Sequence, residues 1–350
     1  MSETEPSRDA LKHALSVSSL ISGFAVLCLG LVVLVGWYTG NRTLVQVLPT
    51  FVPMQYNTAL GFVFCGASLL LLTIRADRWA ATAGGLAALI GGLTLLEYVG
   101  NISLGIDELF MKHDITVATS HPGRMAPNTA VCFTLSGLCA VLGVGAGRGP
   151  RKSFISVILA SLTLGLGVVA LAGYFTGLET AYGWGSLTRM AVHTSVGFIV
   201  ASFGFLCLAW SYDIGGEMWI PRWMPVPVAI AVLTATLCFW QALVTESARI
   251  HRQYEDLSSL SNLATVMLIV GVLLAFALAL VAYLAQTSHR RARDVSQTNL
   301  ALQAEIATRQ EAEQALQAHR DKLEDVVAER TQELDRARRE AETANRAKSE

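Results

Sequence analysis

Long apolar runs separated by short polar segments dominate the first 286 residues of the chain. Each run has about the 20 residues that an α-helix needs to cross the hydrocarbon core of a membrane. Eight such runs are present, at residues 15–38, 56–74, 79–99, 128–146, 154–176, 192–210, 225–244 and 263–286. The first is too long for a signal-peptide core and lacks a small-residue cleavage site, so we expect it to be retained. The pattern predicts an all-α polytopic membrane domain with eight transmembrane helices.

The pattern changes after Gln286. Residues 292–350 contain no Pro and no Gly, and small and aliphatic residues recur there at heptad spacing. The two heptad positions are occupied by Leu302, Leu316, Leu323, Ala337 and Ala344, and by Ile306, Val327, Leu334 and Ala341. Arg309, Glu313, Arg320 and Arg330 interrupt this seam, which favours a marginal two-stranded coiled coil over a permanent zipper. The alternative is a solvated helix with incidental leucines. With no helix breaker before it, 287–350 is predicted to continue span eight as a long cytoplasmic coiled-coil helix that forms a homodimer.

Composition and charge fit this division. The chain is 53% apolar and 15% charged, and about half of its charged residues follow Gln286. A net charge of −1 gives no indication of a nucleic-acid partner. Lys and Arg cluster at 75–78, 147–152 and 289–293, which lie on one side of eight spans, and the positive-inside rule assigns that side to the cytoplasm. Residues 1–14 and the C-terminus are then cytoplasmic. The loops at 39–55, 100–127, 177–191 and 245–262 are predicted to face outward.

A short motif recurs at the start of three returning spans, as "PMQYNTALGF" (53–62), "RMAPNTAVCF" (124–133) and "RMAVHTSVGF" (189–198). In each copy a polar residue stands three positions after Met, a Phe eight and a small residue twelve. The preceding spans close with "WYTG" (37–40), "EYVG" (97–100) and "YFTG" (174–177). The repeating unit of 15–286 is therefore predicted to be a helical hairpin. Three copies are clear, and spans seven and eight form a diverged fourth. Within span three, Gly84, Ala88 and Gly92 are predicted to form a small-residue contact face.

The polar residues of the motif have two interpretations. Asn is a natural helix cap, and aromatic residues anchor spans at the interface, so capping and anchoring alone would explain the pattern. However, capping does not require the Met, Phe and small residue, and His is a poor cap. The alternative is a ligand site just below the outer surface, with a carboxylate and two arginines beside it. Its predicted residues are Asn57, Glu97, Arg124, Asn128, Arg189 and His193. Such a site, lined by Met, Phe and Trp, would suit a quinone or another small amphipathic ligand. The outer loop 100–127 is an alternative receptor surface.

No metal site is predicted. His113, His121, His193 and His251 all fall on the outer side, but their spacing matches no ligand motif. The cysteines lie inside apolar runs and form no CxxC pair, so neither zinc nor a disulfide framework is indicated.

The stretch "LEDVVAERTQELDRARREAETANRAKSE" (323–350) resembles the linker that enters the dimerisation and phosphoacceptor domain of bacterial sensor histidine kinases, often hybrid ones. In that family "AERTxEL" leads into "ANRAKSE", and the phosphorylated His follows shortly afterwards. His289 and His319 lack the acidic-Arg-Thr-Pro context of that His, and the chain has no Gly-rich phosphate loop. "GIDELF" (105–110), followed by "GRMAPNTA" (123–130) and Phe133, is similar to multi-pass input modules that precede kinase or diguanylate cyclase domains.

The resemblance implies the sensor and signalling helix of a histidine kinase in the bacterial inner membrane. The segment itself would carry no catalytic residue. ATP and Mg²⁺ would bind a kinase domain beyond Glu350, and a response regulator would be the downstream partner. An outer stimulus would shift spans seven and eight and thereby control autophosphorylation through the coiled coil. One alternative is the same sensor with a cyclase or another output. A transporter is a further alternative, although no span is broken at mid-membrane and no polar relay crosses it.

Overall fold

A computed structural model describes residues 8–113, 115, 117, 119–143, 150–185, 187–213, 221, 223–251 and 259–349. Within these ranges the chain is helical, with no strand. The helices are α1 (Arg8–Thr39), α2 (Arg42–Gln46), α3 (Tyr56–Thr73), α4 (Asp77–Gly100), α5 (Pro127–Leu142), α6 (Pro150–Thr176), α7 (Glu179–Tyr182), α8 (Val192–Asp213), α9 (Pro225–His251) and α10 (Ser259–Ser349). The chain divides into one compact unit at Met1–Gln286 and a second at Thr287–Glu350.

Seven segments in the described part of the chain are long and apolar enough to cross a membrane. They are α1, α3, α4, α6, α8, α9 and the Ala264–Ser288 part of α10. The fold is therefore that of a polytopic, all-α membrane protein. The remaining predicted span, 128–146, corresponds to α5, whose 16 residues extend only about 24 Å at 1.5 Å per residue. Because residues 144–149 lie outside the described ranges, the eighth span stays a prediction.

Six helices, α5 among them, form three hairpins around a common centre. Each outgoing helix packs along the helix that returns: α1 along α3, α4 along α5, and α6 along α8. Neighbouring hairpins meet through α1 and α8, α3 and α4, and α5 and α6, and these contacts close the ring. The returning helices α3, α5 and α8 also contact one another inside it. The repeats found in the sequence are thus repeats in space.

The Phe of the motif forms the centre of this ring. Phe62, Phe133 and Phe198 are fully buried, one from each returning helix. Their ring centroids are 4.9, 4.9 and 4.7 Å apart, two pairs edge-to-face and one tilted. Aromatic pairs in such arrangements contribute about 0.5–1.5 kcal/mol each beyond the apolar area that they bury. We refer to these three side chains as the phenylalanine trio.

The small residue of the motif permits the two helices of a hairpin to approach closely. A Cβ atom placed on Gly66 would lie 2.4 Å from the Leu27 amide nitrogen of α1. One on Gly137 would lie 2.3 Å from the Gly84 carbonyl oxygen of α4. Backbone cannot yield as a flexible side chain does, so these positions exclude larger residues. The outgoing helices also have glycines at their contacts with the returning helices. Gly30, Gly91 and Gly167 face the carbonyl oxygens of Ala59, Ala130 and Ser195.

The contact face predicted on span three needs one correction. Gly84 and Ala88 do pack against α5, as predicted, but nothing lies within 4 Å of a Cβ atom placed on Gly92. Gly91 takes its place, 2.5 Å from the Ala130 carbonyl oxygen by the same measure. Two helical turns take about 7.2 residues, so Gly91 returns to the face of Gly84 more closely than Gly92 does.

The last two predicted spans lie outside the ring. α9 packs on α6 and α7, and α10 touches α9 where Gly271 meets the Thr236 side chain. Only 6% of the α9 span and 11% of the α10 span is buried in the single chain. Most of their apolar surface is therefore left for lipid or for another copy of the chain.

The second unit is one helical segment, the C-terminal part of α10. Its described side chains from Arg291 to Asn345 are exposed, including the predicted seam. Arg309, Arg320 and Arg330, which interrupt that seam, form ion pairs with Glu305, Glu324 and Glu333 of the same helix. Such exposed pairs contribute at most a few tenths of a kcal/mol each, so they favour the helix only weakly. The two-stranded coiled coil stays a prediction.

Candidate functional site

The six predicted site residues lie at one end of the ring, which carries the loops 40–55, 101–126 and 177–191. We call it the motif end. Here the aromatic residue that closes each outgoing helix donates a hydrogen bond to the carbonyl oxygen of the repeated Met. Trp37 bonds to Met54 at 3.0 Å, Tyr98 to Met125 at 2.9 Å and Tyr174 to Met190 at 2.7 Å. These aromatic residues therefore tie the two helices of each hairpin together, a role beyond that of interface anchors.

The same bonds correct the alignment of the second repeat. Gly40 and Gly177 have positive φ angles of 65° and 70°, and in the second copy Asn101, at 48°, takes this position. The second closing sequence is therefore "YVGN" (98–101) and not "EYVG". Asn tolerates this left-handed conformation better than most non-glycine residues. Glu97 then occupies the position that Gly36 and Gly173 hold in the other two repeats. The carboxylate is therefore present in the second repeat and has no equivalent in the first or third.

Glu97 forms a buried ionic cluster with residues of the second loop. The Arg124 Nε atom lies 2.8 Å from Asp107 Oδ2 and 3.4 Å from Glu97 Oε2. The Arg124 Nη2 atom donates to the Ile102 carbonyl oxygen at 3.1 Å, and Glu97 Oε1 accepts from the Leu104 amide at 2.7 Å. The guanidinium also stacks over the Tyr98 ring, 5.3 Å from its centroid. All three charged side chains are at most 10% exposed, and their contacts connect Ile102, Leu104 and Asp107 to Glu97 of α4 through Arg124 and the Leu104 amide.

Asn128 connects the second hairpin to the third. Its Nδ2 atom donates to the Tyr182 carbonyl oxygen at 3.1 Å, and its Oδ1 atom accepts from the Thr129 amide at 2.9 Å. The same Tyr182 carbonyl accepts a bond from the Met190 amide at 2.7 Å. Asn128 therefore stabilises the junction between α5 and the loop that precedes α8.

His193 has the equivalent place between the third hairpin and the first. Its ring interacts with the backbone of Val45. The Val45 carbonyl oxygen accepts a hydrogen bond from the Met54 amide at 2.8 Å, just as the Tyr182 carbonyl oxygen accepts one from the Met190 amide. Among the described residues, neither ring nitrogen has a hydrogen-bond partner of ordinary geometry.

The capping interpretation of the motif is not met by Asn57 in α3 and only in part by Asn128 in α5. Both helices begin one residue before the motif Asn, and their N-cap residues, Gln55 and Ala126, make no side-chain capping bond. Asn57 is 8% exposed and Gln55 2% exposed, yet the described residues offer neither amide a hydrogen-bond partner. Asn128 thus accepts from an amide in the first turn of its own helix and donates to the next hairpin, whereas Asn57 does neither.

Arg189 lies at the edge of the motif end. Its Nη2 atom is 2.7 Å from Glu179 Oε2, and the two side chains are 27% and 44% exposed. Burial, followed by the charge of Glu179, raises the pKa of the nearby Tyr182 phenol. That ring, stacked on Tyr174 at 4.1 Å, therefore stays neutral near pH 7.

The structure brings only some of the six predicted site residues into contact with one another. Glu97 and Arg124 are in contact, whereas Asn57, Asn128 and His193 occupy corresponding places on three returning helices, and Arg189 pairs elsewhere. Asp107 was missed as a site residue, although it lies within the quoted "GIDELF" motif. Within the described ranges no three His, Cys, Asp or Glu side chains gather as a metal site would require.

The fold and the site define a class, a membrane protein with three hairpin repeats and a polar network at one end of the ring. No protein-family model, curated protein or solved structure matches the chain. Its function has to be inferred from the sequence, the fold and this network.

Proposed function

We propose that the chain is the membrane-embedded input module and signalling helix of a bacterial sensor histidine kinase. The observation that carries the proposal is α10, which is helical from Ser259 to Ser349. This helix contains both the last apolar span and the stretch that resembles the linker of such kinases. A helix that leaves the membrane and continues into a kinase linker is suited to transmit a change within the membrane to an output domain.

The packing of the hairpins suggests where the change starts. The phenylalanine trio and the glycine contacts make the ring a tightly packed body, whereas α9 and α10 bury little surface. α9 is attached at the motif end, where Thr180 Oγ1 donates to the Ala242 carbonyl oxygen at 3.0 Å. A stimulus that favours one arrangement of the loop 177–191 would displace α9 and then α10. Signalling requires two arrangements of similar energy and a ligand that prefers one of them.

The proposal includes an orientation in the bacterial inner membrane. Lys and Arg at 75–78 and 289–293 favour a cytoplasmic position for both termini, and the motif end then faces the periplasm. The exposed C-terminal part of α10 would pair with a second copy in a homodimer, because a lone helix of this length is only marginally stable.

The orientation predicts which introduced cysteines are accessible. Arg42 and Arg78 are both exposed, at opposite ends of the ring. Arg42→Cys should react with an impermeant thiol reagent on intact spheroplasts, and Arg78→Cys only after permeabilisation. The parent chain is the control, because its own cysteines lie in apolar helices and should label weakly. Labelling of Arg78→Cys from outside would reverse the topology.

The output is tested on the gene product that contains this chain. Membranes incubated with radiolabelled ATP should yield a phosphorylated protein whose label is stable in alkali and lost in acid, as phosphohistidine is. The same membranes incubated with GTP should not yield cyclic diguanylate. Cyclic diguanylate without phosphohistidine would support the alternative output and contradict the kinase proposal.

A further inference from the structure

A cavity of about 510 Å³ opens on the side of the bundle at the motif end. It lies between α6 and the 237–245 part of α9, and it is bordered by α7 and the residues that follow α7. Leu237 and Trp184, in its walls, are 49% and 43% exposed, so the cavity opens on the outer surface of the bundle. Its volume is within the range of about 300–1,000 Å³ that is usual for small-molecule sites.

The lining of the cavity is neutral. Among the lining residues that the structure describes, none is Lys, Arg, His, Asp or Glu. Trp184 and Trp240 supply aromatic surface, while Leu166, Val169 and Leu237 supply aliphatic surface. A phospholipid headgroup or an organic cation would find no charge to pair with here. The lining instead suits an uncharged molecule with a flat, polarisable head.

Two amides add hydrogen-bonding capacity to this apolar wall. Asn128 lines the cavity while one of its N–H groups bonds to Tyr182. Gln241 also lines it, and its side chain is exposed on the surface of α9. Gln241 belongs to an apolar membrane-spanning helix, where an amide without a partner is costly. An amide next to a cavity at this depth is suited to bind a carbonyl oxygen.

We propose that this cavity binds a membrane-soluble quinone, with its ring against the tryptophans, a carbonyl oxygen on the Gln241 amide and its apolar tail in the lipid. This places the ligand between the α6–α8 loop and α9, away from the Glu97–Arg124 cluster. That quinone occupancy is the stimulus rests on the proposed function. The binding itself does not.

The site has a direct route to the signalling helix. The hydrogen bond from Thr180 to the Ala242 carbonyl crosses one edge of the cavity. A ligand held between α7 and α9 would change the distance between them, and α9 contacts α10 through Thr236. A bound ligand would therefore shift the position of α9 relative to the tightly packed ring.

The test is photoaffinity labelling of the full chain in phosphatidylcholine nanodiscs with an azido-ubiquinone, followed by peptide mapping. We expect labelling of the peptides that contain Trp184 or Leu237–Thr245, and excess decylubiquinone should compete with it. Leu237→Trp, which fills the cavity, should reduce this labelling at least tenfold. Leu89→Trp on α4 is the matched control, because Leu89 is 54% exposed and lies outside the cavity. Gln241→Leu should weaken competition by about tenfold, the effect of losing one buried hydrogen bond.

The outcomes separate the two proposals. Labelling that spreads over lipid-facing peptides without competition would mean partitioning into lipid and would overturn the quinone site. Equal labelling of Leu237→Trp and the parent chain would also overturn it. Competed labelling supports the site. If decylubiquinone then fails to change phosphorylation of the complete protein, the site stands and its role as the stimulus is wrong.

Discussion

Replacing Phe133 with Ala is expected to lower the free energy of unfolding by about 3–5 kcal/mol, the usual cost of removing a fully buried aromatic ring. The loss should fall at the upper end because Phe62 and Phe198, at 4.9 and 4.7 Å, both lose a ring partner. The cavity left behind would lie where all three hairpins meet, so no single helix can move to fill it. The measurement is denaturant unfolding of the purified chain in detergent, followed by circular dichroism.

Phe203→Ala is the matched control for this experiment. Phe203 belongs to α8, as Phe198 does, but it is 53% exposed. Its removal should cost about 1 kcal/mol or less, because little apolar contact is lost. Equal losses for Phe133→Ala and Phe203→Ala would contradict a centre built on the phenylalanine trio.

The second large effect is expected from Gly137→Val. A Cβ atom at this position would lie 2.3 Å from the Gly84 carbonyl oxygen and 2.5 Å from the Ala88 amide nitrogen. Both atoms belong to the backbone of α4, so the side chain fits only if α4 and α5 separate. We expect a loss of about 3 kcal/mol or more in the same unfolding measurement, the upper range for overpacked cores.

Gly92→Val is the matched control, because the same substitution there meets no neighbouring helix. Nothing lies within 4 Å of a Cβ atom at Gly92, and Val is a better helix former than Gly. Its unfolding free energy should therefore stay within about 1 kcal/mol of the parent chain. A larger loss at Gly92 than at Gly137 would mean that α4 presents a different face to α5.

The helices and the repeats could be predicted because both depend on local pattern. Apolar length defines a span, and a motif repeated at fixed spacing defines a hairpin. The partners of the motif residues could not be predicted, because they depend on which helices meet. Phe62 contacts Phe198 across more than a hundred residues of sequence, and no periodicity in either helix encodes that contact.

The candidate site shows the same limit. The sequence prediction placed Arg124 and Arg189 beside Glu97; Arg124 contacts Glu97, whereas Arg189 pairs with Glu179. The prediction aligned the second repeat one residue too early, since Asn101 has the left-handed position that Gly holds elsewhere. It did not identify Gln241, because a single amide in an apolar run has no recognisable pattern until a cavity is found beside it.

The most direct measurement of the signalling proposal is autophosphorylation of the complete protein after insertion of one to four residues between Gln286 and Thr287. Each inserted residue turns the following helix by about 100° relative to the preceding span. Kinase output should therefore rise and fall with helical period, returning towards the parent level as the insert approaches a full turn. A flexible Gly-rich insert of similar length should uncouple the output from the membrane domain. A smooth decline with insert length, the same for helical and Gly-rich inserts, would contradict transmission through α10.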